Sequence, residues 1–253
     1  MTRAPTGDDA VDTAGPATRL IGAGRRPEWT GGVVNPPVVH ASTCTFDTLA
    51  TFDERVADPD SGLFYGRRGT PTIWALEEAL TGMEPGAAGT KLFPSGVAAL
   101  AAALLTVCRP GDHVLMADSV YEPTRGLAGG LLKPLGVETT FYDPLIGAGI
   151  AGLIRDKTRV VFMESPGSLT FEVQDIPAIA AAAHEASAVT ILDNTWATPL
   201  LFPALTHGID LAVQSLTKFV VGHSDAMMGS VTANAKLWPR LKAMANRLGQ
   251  TAG

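Results

Sequence analysis

The chain has 253 residues, of which 46% are apolar and 17% charged, and its formal net charge is −6. This balance excludes a disordered chain, and the lack of a basic block argues against nucleic acid as a partner. No apolar run approaches the roughly 20 residues that span a bilayer, so no membrane partner is expected. The two cysteines, Cys44 and Cys108, have no metal-ligand spacing and give no disulfide framework. Because residues 1–16 are polar and lack the apolar core of a secretory signal, we expect a cytoplasmic protein without a metal site.

Composition divides the chain into three parts. Residues 1–18 are small, polar and acidic, which predicts a disordered tail. Residues 19–64 are rich in Gly, Pro and Thr and lack long periodic segments, so we expect an extended N-terminal arm rather than a separate domain. Residues 65–253 form one large domain, which opens with a helix predicted over 73–81 with Thr72 as its N-cap.

Short apolar strands then alternate with longer helices. Strands are predicted over 91–93, 113–117, 139–142, 160–163, 189–192 and 211–214, and helices over 97–107, 124–132, 176–186 and 238–248. This alternation is typical of an α/β fold with a mostly parallel sheet that is covered by helices on both faces.

Polar residues follow five of the predicted strands directly. They lie at 95–96, 118–121, 164–165, 193–194 and 215–218. Ligands of open α/β sheets bind at the carboxyl ends of the strands, and those ends meet at one edge. The sequence therefore predicts a single binding site at this edge.

A lysine and an aspartate each end one of these strands. Lys218 follows Ser215, Leu216 and Thr217, and Asp193 closes the preceding strand. A lysine amine can form a Schiff base with the aldehyde of pyridoxal 5′-phosphate (PLP), and an aspartate can keep the ring nitrogen of PLP protonated. The apolar residues 219–221 are expected to desolvate the amine and favour its neutral form. Alone the pattern is weak, since most lysines are exposed and a strand-end aspartate can also cap a helix or form an ion pair.

Other residues at the same edge suit the phosphate and the ring of such a cofactor. Ser95, Gly96 and Val97 open a helix, whose free N–H groups and dipole make an anion site, although the same residues also suit a plain strand-to-helix turn. Ser215 and Thr217 can add hydroxyl donors. The ring of Tyr121 can stack on a flat heterocycle or cover the core, and Arg67, beside Tyr65 on the arm, can bind a phosphate through two bonds or remain solvated.

Longer motifs carry a resemblance to a known family from about residue 18 to the end of the chain. They read GVVNPP at 32–37, FYGRRGT at 64–70, GDHVLM at 111–116, YEP at 121–123, FYDPLIG at 141–147, ESPGS at 164–168, DNTWA at 193–197, TK at 217–218 and GHSDA at 222–226. These stretches resemble the Cys/Met-metabolism family of PLP-dependent enzymes, which have the fold-type-I (aspartate-aminotransferase-like) large domain.

The resemblance implies a role for each candidate residue. Lys218 would bind PLP covalently and move the proton of the substrate α-carbon to the leaving sulfur, and Asp193 would pair with the ring nitrogen. Tyr121 would stack on the ring and assist the proton transfers. The phosphate would be held by Ser95, Gly96, Val97, Ser215 and Thr217. Tyr65 and Arg67 would reach it from the neighbouring subunit, since the family assembles as a dimer of dimers.

Variants within the motifs point to the β-eliminating members of the family. Tyr65-Gly66-Arg67, Glu164-Ser165-Pro166-Gly167-Ser168 and Asp193-Asn194-Thr195-Trp196 each match their pattern. The implied reaction is α,β-elimination of cystathionine to homocysteine, pyruvate and ammonia in methionine biosynthesis. A γ-acting relative, a γ-synthase or γ-lyase, is the alternative.

Family members are longer than this chain. Their C-terminal small domain, which supplies the arginine that binds the substrate carboxylate, is expected to be absent here. A second alternative is therefore a truncated PLP-binding fragment without catalysis.

Overall fold

Seven strands form one mixed sheet in the computed structural model, which describes residues 15–252. The strands are β1 (Gly89–Phe93), β2 (His113–Ala117), β3 (Glu138–Tyr142), β4 (Thr158–Glu164), β5 (Val189–Asp193), β6 (Leu211–Ser215) and β7 (Gly229–Ala233). Their order across the sheet is β1-β7-β6-β5-β4-β2-β3. β7 runs antiparallel to both neighbours, and the other pairs are parallel. All strands but β7 therefore run in one direction, which confirms the predicted mostly parallel sheet.

Helices cover both faces of this sheet. They are α1 (Pro16–Gly22), α2 (Pro27–Thr30), α3 (Leu49–Ala57), α4 (Pro71–Met83), α5 (Gly96–Val107), α6 (Glu122–Leu127), α7 (Ile176–Glu185), α8 (Thr198–Leu201) and α9 (Trp238–Leu248). α5 packs on β1, β6 and β7, while α7 packs on β4 and β5. Every residue of β2, β5 and β7 is buried. Since successive side chains of a strand point to opposite faces, both faces must be covered, and the predicted α/β layering is confirmed.

The sequence patterns did not predict β7. This strand reads Gly-Ser-Val-Thr-Ala and lacks the run of large apolar residues that marks the other strands. Its small side chains are needed because it lies against the start of α5. A Cβ atom on Gly229 would lie 2.3 Å from the carbonyl oxygen of Ser95, so only glycine fits this position.

The N-terminal part differs in detail from the predicted tail and arm. The first 14 residues of the predicted tail lie outside the described residues, and α1 begins at Pro16 within its last part. The arm also contains α3, which was not predicted, and the Thr48 hydroxyl caps it by accepting the N–H of Thr51 at 3.1 Å. Proline suits the first turn of α1 because its fixed φ matches the helix and its missing N–H has no partner there.

Thr72 anchors the arm instead of capping a helix. α4 begins at Pro71, directly after Thr70, so Thr72 lies inside its first turn. The Thr72 hydroxyl donates to the carbonyl of Pro37 and accepts the N–H of Val39, both at 2.8 Å. The arm is thus tied to the large domain. The division of the chain at residues 64 and 65 stays a prediction.

Candidate active site

A cavity of about 540 Å³ lies at the carboxyl ends of the parallel strands. Eight of the ten candidate residues line it: Ser95, Gly96, Val97, Tyr121, Asp193, Ser215, Thr217 and Lys218. They come from the ends of β1, β2, β5 and β6, which lie far apart in the sequence and converge at this edge. The predicted single site at the sheet edge is therefore present as a cavity.

The first turn of α5 presents free backbone donors to the cavity. The Ser95 hydroxyl accepts the N–H of Ala98 at 3.1 Å, and the first intrahelical bond joins Ala99 N to Ser95 O. The N–H groups of Gly96 and Val97 therefore have no partner within the described residues. A Cβ atom on Gly96 would lie 2.7 Å from the Ser215 hydroxyl oxygen, so glycine brings the helix start and the end of β6 into contact. The result is an anion site with a hydroxyl beside it.

Asp193 is buried at the end of β5, with 7% of its surface exposed. Its Oδ1 atom accepts two hydrogen bonds from Thr195, one from the N–H at 3.0 Å and one from the hydroxyl at 2.5 Å. The Thr195 hydroxyl in turn accepts the N–H of Ser215 at 2.8 Å, which links the ends of β5 and β6. Burial raises the pKa of Asp193, and the two bonds from Thr195 oppose this shift. Oδ2 has no donor among residues 15–252, so it is the atom free to meet a ligand.

Lys218 lies at the mouth of the cavity, in the turn that follows β6. The residue is exposed, and the next two side chains, Phe219 and Val220, are 61% and 41% exposed. The expected desolvation of the amine is therefore not provided by Phe219 and Val220 in the chain alone, because this turn exposes both side chains, whereas Val221 is half-buried. Lys218 lines the same cavity as Asp193 and Gly96, and its role there stays a prediction.

Thr217 also differs from the simple expectation of a free hydroxyl donor. Its hydroxyl donates to the carbonyl of Met228 and accepts the N–H of Met228, both at 3.1 Å. These bonds join the end of β6 to the segment that leads into β7. The hydroxyl proton of Thr217 is thus already engaged, whereas the Ser215 hydroxyl has no hydrogen-bond partner in the part of the chain described. A phosphate role for Thr217 stays a prediction.

Tyr65 and Arg67 lie outside this cavity. Arg67 donates from Nη1 to the carbonyl of Asn246, near the end of α9, at 3.0 Å, and its guanidinium lies 6.0 Å from the centre of the Tyr65 ring. Both residues were expected to act on a neighbouring subunit rather than on their own chain. That expectation stays a prediction.

Three further cavity residues stand out among those that were not assigned a role from the sequence. Thr195 binds Asp193, Glu164 lies at the end of β4, and Trp196 stands at the mouth, 6.0 Å from the Phe219 ring. The position of Glu164 directly after a predicted strand already indicated that it lies at the site. The role of Thr195 depends on contacts that no pattern of residues reveals.

The cavity fits PLP by the chemistry of its groups. The free N–H groups of Gly96 and Val97 and the hydroxyl of Ser215 suit a phosphate. The Oδ2 atom of Asp193 suits a protonated ring nitrogen, and the amine of Lys218 suits an aldehyde. No cluster of three or more metal-ligating side chains occurs within residues 15–252. None of the helices in that range has both the length and the hydropathy of a bilayer span.

This sheet, with a lysine, an aspartate and a helix N-terminus at one edge, defines a PLP-dependent enzyme of fold type I. A family model described as "Cys/Met metabolism PLP-dependent enzyme" matches residues 17–253. The chain belongs to this family.

Individual relatives agree with the family. The chain is 49% identical over 242 residues to a putative cystathionine beta-lyase of Rhizobium johnstonii, with 96% of this chain and 60% of the relative covered. It is 45% identical to cystathionine beta-lyase MetC of Escherichia coli, with 92% and 60% covered. The crystal structure of apo CalE6, a methionine gamma lyase from Micromonospora echinospora, superposes with a TM-score of 0.84 at 34% identity, with 96% and 63% covered. The chain thus spans about 60% of the length of the curated relatives it matches.

Proposed function

We propose that this chain carries the cofactor-binding part of a carbon–sulfur lyase that splits cystathionine by α,β-elimination into homocysteine, pyruvate and ammonia. The proposed reaction is a step of methionine biosynthesis. The observation that carries the proposal is that Lys218 and Asp193 line the same cavity in a chain 45% identical to cystathionine beta-lyase MetC. The motif variants at 65–67, 164–168 and 193–196 support the β-eliminating reaction.

PLP, when bound, supplies an electron sink that stabilises negative charge at the substrate α-carbon. The N–H groups of Gly96 and Val97 and the Ser215 hydroxyl orient the cofactor by its phosphate. Asp193 holds the proton of the ring nitrogen through Oδ2. The Nζ atom of Lys218 takes the proton from the α-carbon and delivers it to the leaving sulfur. Tyr121 lines the same cavity. Its ring would stack on the flat ring of the cofactor and assist these proton transfers.

Product analysis tests the reaction. Purified chain, PLP and cystathionine are mixed, and the keto acid is identified by chromatography. We expect pyruvate, because elimination across the α- and β-carbons leaves a three-carbon fragment. Release of 2-oxobutyrate would contradict the proposal in favour of a γ-acting enzyme, a class that includes the structural neighbour CalE6. No keto acid, despite visible absorbance of bound cofactor, would contradict it in favour of a non-catalytic PLP-binding chain.

We also propose that two copies of the chain complete each other's sites. Large apolar side chains around the cavity mouth are exposed, among them Leu169 at 91%, Phe171 at 59% and Met227 at 67%. Exposed apolar clusters of this kind mark interaction surfaces. Tyr65 and Arg67 lie away from their own cavity, as residues that act on a partner would. A dimer of dimers is the assembly that the family resemblance implies.

Mixing two inactive variants tests this sharing. We expect that Arg67→Ala and Lys218→Ala are each inactive, and that refolding them together restores roughly a quarter of wild-type activity. Half of randomly formed dimers are mixed, and each of these has one intact site. Lys218→Ala mixed with Asp193→Asn is the matched control, because both changes lie in the same chain's cavity and no intact site can form. Recovery in the control, or none in the test pair, would exclude sharing of Arg67.

The proposal places the enzyme in the cytoplasm. Both of its cysteines, Cys44 and Cys108, are free thiols, which is typical of a reducing compartment. Fractionation of producing cells tests this, and recovery of the protein outside the cytoplasmic fraction would contradict it.

A further inference from the structure

Glu164 and Asp193 are direct neighbours at the floor of the cavity. Each is the last residue of its strand, and the two are paired in the register of β4 and β5. Both line the cavity, but Glu164 has no part in the phosphate, ring or amine contacts described above. Two carboxyl groups side by side at a partly apolar edge are unfavourable unless one stays uncharged.

Glu164 makes a long-range hydrogen bond to the backbone of Tyr121. Its Oε2 atom accepts the Tyr121 N–H at 2.7 Å, across 43 residues of sequence. Tyr121 directly precedes α6, and its side chain is 46% exposed, so packing alone does not fix where the ring lies. The bond therefore sets the point at which the loop after β2 passes the cavity.

The surroundings of Glu164 favour its uncharged form. Burial and, next in size, the nearby charge of Asp193 together raise the pKa of Glu164 to about 8, although the Tyr121 N–H and the Ser168 hydroxyl oppose the shift. The other titratable groups that line the cavity are Tyr121, Asp193 and Lys218. Thr195 donates two bonds to Asp193, which favours the charge on that member of the pair.

We propose that Glu164 is a positioning residue that holds Tyr121 at the cavity as a neutral hydrogen-bond acceptor and leaves Asp193 as the single anion of the pair. The inference rests on the proposed function, because it assigns Tyr121 its place over the cofactor. It concerns a residue that does not touch the reacting atoms, and it acts through the backbone of Tyr121. A neutral acceptor of the same shape at position 164 should therefore preserve this function, whereas an apolar side chain of similar length should not.

Two substitutions separate these cases. Glu164→Gln keeps a neutral acceptor, and Glu164→Met removes it at similar length. Hydrogen–deuterium exchange of the Tyr121 amide and the affinity for PLP are measured at pH 7 in both variants and in the wild type. We expect Glu164→Gln to match the wild type in both. In Glu164→Met we expect at least about tenfold faster exchange and about tenfold weaker PLP binding, the size of a lost buried hydrogen bond.

The wild type provides an internal standard in case Glu164→Met does not fold. Glu122 is the first residue of α6, and its N–H has no acceptor within the described residues, whereas the neighbouring N–H of Tyr121 is bonded. We expect the Tyr121 amide to exchange at least about tenfold more slowly than that of Glu122. Equal exchange of the two amides would overturn the proposal.

The readouts also separate this proposal from the proposed function. Faster exchange at Tyr121 in Glu164→Met with unchanged exchange elsewhere supports positioning, whatever keto acid the chain releases. Unchanged exchange and PLP affinity in Glu164→Met overturn positioning and leave the lyase proposal intact. Loss of PLP affinity in Glu164→Gln as well as in Glu164→Met would show that the charge of Glu164 is needed, which also overturns the proposal.

Discussion

Replacing Lys218 by alanine is expected to abolish both the visible absorbance of bound PLP and the release of keto acid. The amine at this position is the only proposed covalent partner of the cofactor and the proposed carrier of the α-carbon proton. Loss of a general base alone typically lowers the rate by 10²–10⁴-fold, and loss of cofactor attachment adds to it. We expect at least about a 10³-fold fall in kcat. The absorbance spectrum and a keto acid assay measure the two effects separately.

Lys236→Ala is the matched control for this change. Lys236 is exposed and lies outside the cavity, so its loss should leave spectrum and activity at wild-type levels. Unchanged absorbance in Lys218→Ala would remove Lys218 from the site. A loss of absorbance in both variants would show that the effect is not specific to the cavity.

Replacing Asp193 by asparagine is expected to change stability and cofactor binding in opposite directions. Asparagine keeps an oxygen to accept the two bonds from Thr195 but carries no charge to pair with the ring nitrogen. We expect PLP affinity to fall by at least about 10²-fold, since breaking a buried ion pair costs about 3–5 kcal/mol. Without PLP, the variant should have a higher free energy of unfolding than the wild type at pH 8.

The direction of the stability change follows from the raised pKa of Asp193. When the pKa of a carboxyl group is higher in the folded than in the unfolded chain, its ionisation destabilises the fold. The free energy of unfolding therefore falls as pH rises from the unfolded pKa of 3.8 through the folded pKa. Above both values the loss is complete, so removing the charge restores stability there. Urea unfolding with and without PLP, at pH 4 and pH 8, measures both effects. The stability gain should be present at pH 8 and small at pH 4.

Asp210→Asn is the matched control for Asp193→Asn. Asp210 is also buried, but both of its oxygens are bonded: Oδ1 to Asn234 at 2.7 Å, and Oδ2 to the N–H of Thr190 at 3.0 Å and to His184 at 3.1 Å. It precedes β6 at the opposite edge of the sheet. We expect Asp210→Asn to destabilise the chain and leave PLP affinity unchanged. If Asp193→Asn is less stable than the wild type at pH 8 without PLP, the claim that the charge of Asp193 destabilises the fold and serves to bind a ligand would be contradicted.

Much of the large domain could be predicted because its signals are local. The strand over residues 113–117 and the helix over 238–248 have the predicted bounds, since each is a regular run between clear breaks. The helix predicted over 124–132 is divided into α6 and a π-helical turn from Ala128 to Leu132, where Gly129 and Gly130 weaken the regular helix. The convergence of the site also followed from local signals, because every parallel strand brings its carboxyl end to the same edge.

Other features depend on contacts between distant residues, which the sequence patterns do not contain. β7 was missed because the close packing of α5 requires small residues in this strand, which therefore lacks the apolar pattern of the other strands. Thr72 resembled a helix cap, yet its hydroxyl bonds to the arm more than 30 residues away. The partnership of Glu164 with Tyr121 required the order of β2, β4 and β5 in the sheet. The exposure of Lys218 depends on the path of the turn after β6.

Locating the covalent attachment of PLP tests the central claim most directly. The purified chain is incubated with PLP, reduced with borohydride, digested, and the labelled lysine is identified by mass spectrometry. We predict a single major label on Lys218, which depends on a folded chain and requires a higher PLP concentration when Asp193 is replaced by asparagine. A label on other lysines alone, such as Lys91 or Lys236, or labelling that persists equally in the unfolded chain, would contradict it.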